Sequence, residues 1–307
     1  MSDFRFIGSS FFKVKKWVIL APRRAKRPDV AKGVEPVCPF CPGKEGNEQE
    51  VYRVSPNVNN SDWLVRVLPN KFPFAPIHEV IIHSPDHHKN YGELPLEHVV
   101  LLLQTYRQRF QTHQNKGQIY IFHNRGREGG ESLPHPHTQL AVVPFDVELD
   151  TPRLDGSHQQ SASSNQQSEV SNEKLVVSTE HFDIFCPLAS QWPDEVWVAP
   201  KKRGCVFGEI TDDEVSDLAH VLTRLIQILD LRHGREFPYN FYIYPGGDWY
   251  LRLIPRKKTL GGFEVGTGIF VNTQDPQETL VFLKTHFYEP DEEKIKLEHQ
   301  AEYHKTV

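Results

Sequence analysis

Cysteine is scarce in this chain. Four cysteines in 307 residues are too few to staple so long a chain as a disulfide framework. Cations are not in excess either: 35 Lys and Arg stand against 40 Asp and Glu, a formal charge of −5. That balance argues against nucleic acid or a membrane surface as partner. No apolar run approaches the roughly 20 residues of a membrane-spanning helix, and none near the N-terminus resembles a signal peptide. The expectation is a cytoplasmic protein, long enough for one large domain or two modest ones.

Against that background residues 131–144, Glu-Ser-Leu-Pro-His-Pro-His-Thr-Gln-Leu-Ala-Val-Val-Pro, stand out. Leu140, Val142 and Val143 read as a strand entering a core. Strand side chains alternate between faces, so His135, His137 and Gln139 are expected in one row on one face. One histidine on a strand is usually a solvated side chain. Three nitrogen-bearing groups in register imply a ligand.

Cys38-Pro-Phe-Cys41-Pro-Gly forms a tight knuckle. Such a pair aims two thiols at one point and suits zinc when two further ligands are supplied, though a redox dithiol or a packing accident fits the same spacing. No second Cys-x-x-Cys exists, so a metal would draw on His, Asp or Glu. The turn Arg23-Arg24-Ala-Lys-Arg27 is either a solvated loop or a corner that presents planar guanidinium forks to phosphate.

The remaining pattern is α+β. Strands are expected over 11–20, 63–68, 79–82 and 118–122, and a helix over about 95–114, where Leu96, Val99, Val100 and Leu103 have helical spacing. Residues 123–130 read as a loop. Residues 155–172, rich in Ser, Gln and Asn, read as a flexible linker. Beyond it the order repeats, with Phe182–Cys186, Glu195–Ala199, a capped helix from Thr211, then Tyr239–Tyr244 and Trp249–Pro255. This gives residues 1–154 as an N-terminal catalytic half and 173–307 as a degenerate C-terminal half. Setting Pro144 against Pro255 puts Gly246, Asp248 and Tyr250 where the first copy has His135, His137 and Gln139. The fold therefore does not itself require the imidazole row.

A neutral imidazole can bind zinc or attack phosphorus. Were Cys38, Cys41, His87 and His135 to close a tetrahedral site, no coordination position would stay open. The metal would then be structural and His137 free to attack. Charge spreading over phosphoryl oxygens calls for nearby donors: Gln139, Ser132, Asn124, Arg24 and Arg27 are available, and Gly129-Gly130 would let backbone amides approach.

The series Arg-Ala-Lys-Arg-Pro, Cys-Pro-x-Cys-Pro-Gly, Ser-Pro-Asp-His, Asn-x-Gly and His-Pro-His-x-Gln resembles the galactose-1-phosphate uridylyltransferase family of the histidine-triad superfamily. The resemblance runs over roughly residues 10–290. It implies a duplicated histidine-triad-like fold, antiparallel sheets with helices packed on them, assembled as a homodimer. It also implies a ping-pong transfer of a nucleoside monophosphate from a nucleotide sugar to a sugar 1-phosphate. On that resemblance His137 is the nucleophile, and Cys38, Cys41, His87 and His135 hold one structural zinc per chain. The resemblance also implies substrate contacts from Arg24, Arg27, Asn70, Asn124 and Gln139, with Ser132 expected to contact substrate as one of the nearby donors. Leu251–Ile254 stands where the best-known members carry a His-x-His, so a second metal is not expected. Gly262-Phe-Glu-Val-Gly-Thr-Gly268 resembles the branch that includes ADP-glucose phosphorylase, which implies, as the alternative, adenylyl transfer with inorganic phosphate as acceptor. Hydrolysis, known from other histidine-triad proteins, is a further alternative. Against it stands Gln139, where those hydrolases carry a third histidine. A zinc-stabilised nucleotide-binding scaffold without turnover is the alternative outside enzymes.

Overall fold

Ten strands pair, antiparallel throughout, into one sheet in the computed structural model. The structure describes residues 5–9, 16–27, 37–47, 49–56, 62–154 and 176–305. The expected linker at 155–172 and residues 11–15 of the first expected strand lie outside them.

A separate two-stranded ribbon joins β1 (Arg5–Ser9) to β2 (Lys16–Leu20). The large sheet holds β3 (Tyr52–Val54), β4 (Val65–Pro69), β5 (Ile77–Ile82), β6 (Gln118–Arg125) and β7 (His137–Val143). Its second part holds β8 (Val177–Ser178), β9 (Phe182–Phe185), β10 (Val196–Pro200), β11 (Tyr239–Ile243) and β12 (Leu251–Pro255). The order is β3-β4-β5-β7-β6-β11-β12-β10-β9-β8, which reads the same outward in both directions from the β6–β11 seam.

One face is covered by helices. In α1 (Leu96–His113) the buried Val99, Leu102, Leu103, Tyr106 and Phe110 recur every three or four residues and meet Ile119, Ile121, Leu140 and Val142 of the sheet. The longer α2 (Asp212–His233) starts at the expected box: the Glu214 amide donates to Thr211 Oγ1 at 3.2 Å and the Thr211 amide to the Glu214 carboxylate at 2.7 Å. Three more helices, α3 (Gly262–Thr267), α4 (Pro276–His286) and α5 (Glu292–Lys305), follow the sheet. No helix among the described residues is long and apolar enough to cross a membrane.

The other face of the sheet carries the polar and aromatic side chains that alternate with the core. Its C-terminal part is filled: Tyr250 stacks between Trp197 at 4.4 Å and Tyr244 at 5.4 Å. Beside this stack, buried Arg252 donates to Glu195 across 2.7 Å. Tyr250, the position set against Gln139, thus belongs to an aromatic stack with an ion pair beside it. The Glu-Val pairs that open the expected strands at 79 and 195 do not take equivalent places in the two halves. Val80 packs beside Phe40 on the open face, whereas Val196 lies in the helix-covered core. A one-residue slip changes the face of every side chain.

Two boundaries differ from the sequence reading. Strand β6 runs on through His123-Asn124-Arg125, because β7 and β11 both pair with it as far as His123 and β11 continues to Arg125. Strand β7 begins only at His137. Pro136 has no N–H to give a ladder, so His135 stands one step outside the strand rather than in its row.

Candidate active site

The knuckle, the loop after β5 and the entry to β7 converge on one point. The ligand atoms of Cys38, Cys41, His87 and His135 all lie within 4.8 Å of one another. Cys41 Sγ is 3.1 Å from His87 Nδ1 and 3.7 Å from His135 Nδ1, and Cys38 Sγ is 3.6 Å from His135 Nδ1. A zinc tetrahedron with bonds of about 2.0 Å to nitrogen and 2.3 Å to sulfur has edges of roughly 3.3–3.8 Å, so the donor set and its spacing fit. His135 Nε2 lies 2.8 Å from the Ser84 carbonyl. That carbonyl takes the ring's proton at Nε2 and leaves Nδ1 bare toward the thiols, the outer contact a metal-binding histidine needs.

His137 is turned the opposite way. Its Nδ1 donates to the His135 carbonyl at 2.9 Å, so Nε2 carries the lone pair. Both rings flank Phe40, with centroids 6.1 Å away for His135 and 5.5 Å for His137. Burial, and after it the nearby cations Arg27 and Arg125, keep His137 below the usual histidine range, despite the opposing pull of its bond to the His135 carbonyl. The ring is a neutral, fixed imidazole.

Beneath it, on the helix side of β7, Thr138 is a hub. Its hydroxyl meets Tyr106 at 2.7 Å, His83 at 2.8 Å and Tyr91 at 3.0 Å. His123 Nδ1 donates to the His137 carbonyl at 3.0 Å. Burial holds His83 and His123 well below the ordinary histidine range. These neutral groups fix the backbone that carries His137 without adding charge.

Along the open face Gln139 is oriented by a residue the sequence reading passed over. His78 Nδ1 faces the Phe74 amide at 3.4 Å, which leaves its Nε2–H to donate to Gln139 Oε1 at 3.0 Å. Asn70 Nδ2 adds a second, longer bond of 3.4 Å to the same oxygen. The carboxamide oxygen is therefore occupied, and the Gln139 N–H groups have no acceptor among the described residues. Burial drives His78 down to about 3. The signal was present in Ile-His-Glu-Val, where one imidazole alternates with core residues, but the strand was begun at 79 rather than 77.

Arg24 lies over the Phe74 ring at 4.9 Å and donates to the Phe72 carbonyl. Burial, then the charge of Arg27, lowers it to about 10. Asn124 is at the edge of the same face, where its Oδ1 accepts from Asn240 Nδ2 at 2.8 Å. Ser132 is half-buried in the loop ahead of His135 and has no hydrogen bond among the described residues. Gly129 has a packing reason of its own: a Cβ there would stand 2.2 Å from the Arg125 carbonyl oxygen and 2.9 Å from that of Tyr239. Its lack of a side chain serves backbone packing.

Residues 77–143, from β5 to the end of β7, match the model of the galactose-1-phosphate uridyl transferase N-terminal domain. The chain is similar to the galactose-1-phosphate uridylyltransferase family. It is 27% identical over 300 residues to galactose-1-phosphate uridylyltransferase of Thermotoga maritima, covering 86% of this chain and 93% of that one. It is also 27% identical over 311 residues to ADP-glucose phosphorylase of Arabidopsis thaliana, covering 86% and 88%. The crystal structure of the Arabidopsis ADP-glucose phosphorylase with bound ADP-glucose superposes with a TM-score of 0.70 over 88% of this chain and 96% of that one. A uridylyltransferase structure at 24% identity shares the fold, with a TM-score of 0.72 over 92% and 98%.

Proposed function

We propose that this protein is a nucleotidyltransferase that moves a nucleoside monophosphate from a nucleotide sugar to a phosphate-bearing acceptor through a covalent intermediate on His137. The observation that carries the reading is the bond from His137 Nδ1 to the His135 carbonyl. It fixes the tautomer whose Nε2 can attack and holds the ring against rotation. Relatives named as uridylyltransferases and a phosphorylase support the same class.

In the first step the Nε2 lone pair forms a bond to the α-phosphorus of the donor. The bond from that phosphorus to the bridging oxygen breaks, and its electron pair leaves on the sugar 1-phosphate. In the second step an acceptor phosphate oxygen attacks the same phosphorus, and the N–P bond returns its pair to Nε2. The Gln139 N–H groups, Arg24 and Arg27 would receive the phosphoryl oxygens. Zinc bound by Cys38, Cys41, His87 and His135 would hold the knuckle and the β7 entry together and take no chemical part. The duplication into residues 1–154 and 173–307, pairing as a homodimer, belongs to the same reading; the mirrored strand order supports the duplication.

Two acceptors fit. A sugar 1-phosphate gives a galactose-1-phosphate uridylyltransferase-type activity. Inorganic phosphate gives an ADP-glucose phosphorylase-type one. The second is favoured by the Gly262–Gly268 segment, a short helix stopped at Gly268 with φ +72, whose sequence resembles that branch. The test incubates the protein with UDP- and ADP-sugars labelled in the α-phosphate. Acid-labile, base-stable label on the wild type, absent from His137→Ala and discharged faster by phosphate or sugar phosphate than by water, is the expected result. Label retained on His137→Ala overturns the proposal, and discharge mainly by water makes the protein a hydrolase.

A further inference from the structure

Each of the fully buried arginines has a carboxylate partner. Arg66 meets Glu50 at 2.5 Å, Arg109 meets Glu79 at 2.6 Å, Arg232 meets Asp194 at 3.0 Å and Arg252 meets Glu195 at 2.7 Å, while Arg125 bridges Glu131 and Glu236. Arg256, just past β12, is half-buried and has no carboxylate partner among the described residues. Its guanidinium lies 4.5 Å over the Trp192 ring. Its Nε is sealed from solvent with no hydrogen-bond partner, and no ion pair reaches the side chain among the described residues. Burial lowers its pKa, with no acid to offset the loss of water. The half-buried guanidinium has given up part of its water with no acid beside it to offset the loss.

The one side-chain bond Arg256 makes leads toward His137. Its Nη1 donates to Asn240 Oδ1 at 2.9 Å. Asn240 Nδ2 donates in turn to Asn124 Oδ1 at 2.8 Å and to the Gly129 carbonyl at 2.7 Å, in the loop that enters His-Pro-His. Asn240 lies opposite Asn124 across the β6–β11 seam, and His123 lies opposite Thr138 on β7. The strand carrying Asn240 is therefore two ladder spacings, about 10 Å, from the strand that carries His137. With its oxygen taken by Asn240, the Asn124 carboxamide has its N–H groups without an acceptor among the described residues.

We infer that Arg256, positioned by Asn240, is an anion subsite for the phosphate of the departing and accepting half of the substrate, beyond the α-phosphate position at Gln139. The inference rests on the nucleotidyl-transfer reading for what occupies the subsite, but not for its existence. A planar fork stacked on an indole is held ready for phosphate oxygens, and with Nη1 bonded to Asn240 and Nε closed to solvent, Nη2 is the donor left to receive them. The C-terminal strands thus contribute a residue to a reaction carried by the N-terminal ones.

Inorganic phosphate is the probe, titrated by calorimetry into the protein alone and with AMP or UMP present to fill the α-phosphate position. Arg256→Gln is expected to weaken phosphate binding at least tenfold, while Arg256→Lys, which keeps the cation, loses less. Binding of AMP or UMP should stay within twofold, and the unfolding midpoint should be unchanged. In turnover, Arg256→Gln should raise KM for the phosphate acceptor by a similar factor. Phosphate binding equal to wild type in Arg256→Gln overturns the subsite, as does a wild type that takes up no phosphate. If phosphate binding falls in Arg256→Gln but no donor labels the wild type, the subsite stands and the transfer reading falls.

Discussion

His137 Nδ1 donates to the backbone carbonyl of His135 across 2.9 Å, so the ring proposed to react is aimed by a residue of the Cys2His2 cluster. Stripping metal should therefore disturb transfer without any ligand position ever opening. A chelator-treated sample is expected to unfold more easily, with up to about 2.7 kcal/mol restored when zinc is supplied at a hundred times its Kd. Cobalt(II) in place of zinc should give a tetrahedral absorption spectrum that added nucleotide sugar leaves unchanged, since four protein ligands close the site. A spectrum that shifts on nucleotide binding would mean the metal meets substrate.

His78 predicts a pH dependence of stability. Its folded pKa is about 3 against an ordinary value of 6.5, first because of burial. Between those two values the unfolded chain binds one proton more than the folded chain at this position. Stability must then fall as pH drops through 6.5, with a slope of about 1.4 kcal/mol per pH unit from this group. Urea unfolding of wild type and His78→Gln at pH 4 to 6 checks it, because the other titrating groups cancel in the difference. Parallel curves would show that His78 is already charged in the folded protein.

Thr138→Val removes a hydroxyl and little volume. The hub it leaves, Tyr91, Tyr106 and His83, loses a shared partner in a site closed to water. Unsatisfied buried polar groups cost about 1–3 kcal/mol, and chemical denaturation should show a loss in that range. The rate of transfer is expected to fall as well, because the strand under His137 is no longer pinned. A variant with wild-type stability would mean the cluster closes by other bonds.

What could be read in advance follows from how local each feature is. The helix over about 95–114 was legible because apolar residues recur at its own period, and it runs Leu96–His113. Cys38, Cys41, His87 and His135 come together as expected because a knuckle, a histidine following Ser-Pro-Asp and a histidine set between two prolines carry little alternative chemistry. By contrast, Asn240 and Arg256 gain their meaning only from the β6–β11 seam, which sets residues 116 positions apart side by side. His123 was assigned to a loop because nothing local shows that strands on both sides extend β6. The Thr138 hub was hidden for a related reason: a threonine within an apolar strand looks like core until α1 brings Tyr106 to it.

Gly129 gives the last prediction, and it turns on backbone rather than chemistry. A Cβ at this position would overlap the Arg125 carbonyl oxygen at 2.2 Å, a contact no side-chain rotation relieves. The loop must then move, and with it the Gly129 carbonyl that Asn240 holds at 2.7 Å and the Pro134 carbonyl that Arg125 holds at 3.2 Å. Both contacts set the approach to His135 and His137. Displacing a reacting group by about 1 Å can cost 100-fold in rate, so Gly129→Ala should lose about two orders of magnitude in nucleotidyl transfer. Gly130→Ala provides the contrast, because its Cβ would meet nothing within 4 Å and only its φ of +79 is strained. It should lose stability of order 1 kcal/mol and keep most of its rate. If the two variants transfer equally well, the loop does not position the nucleophile.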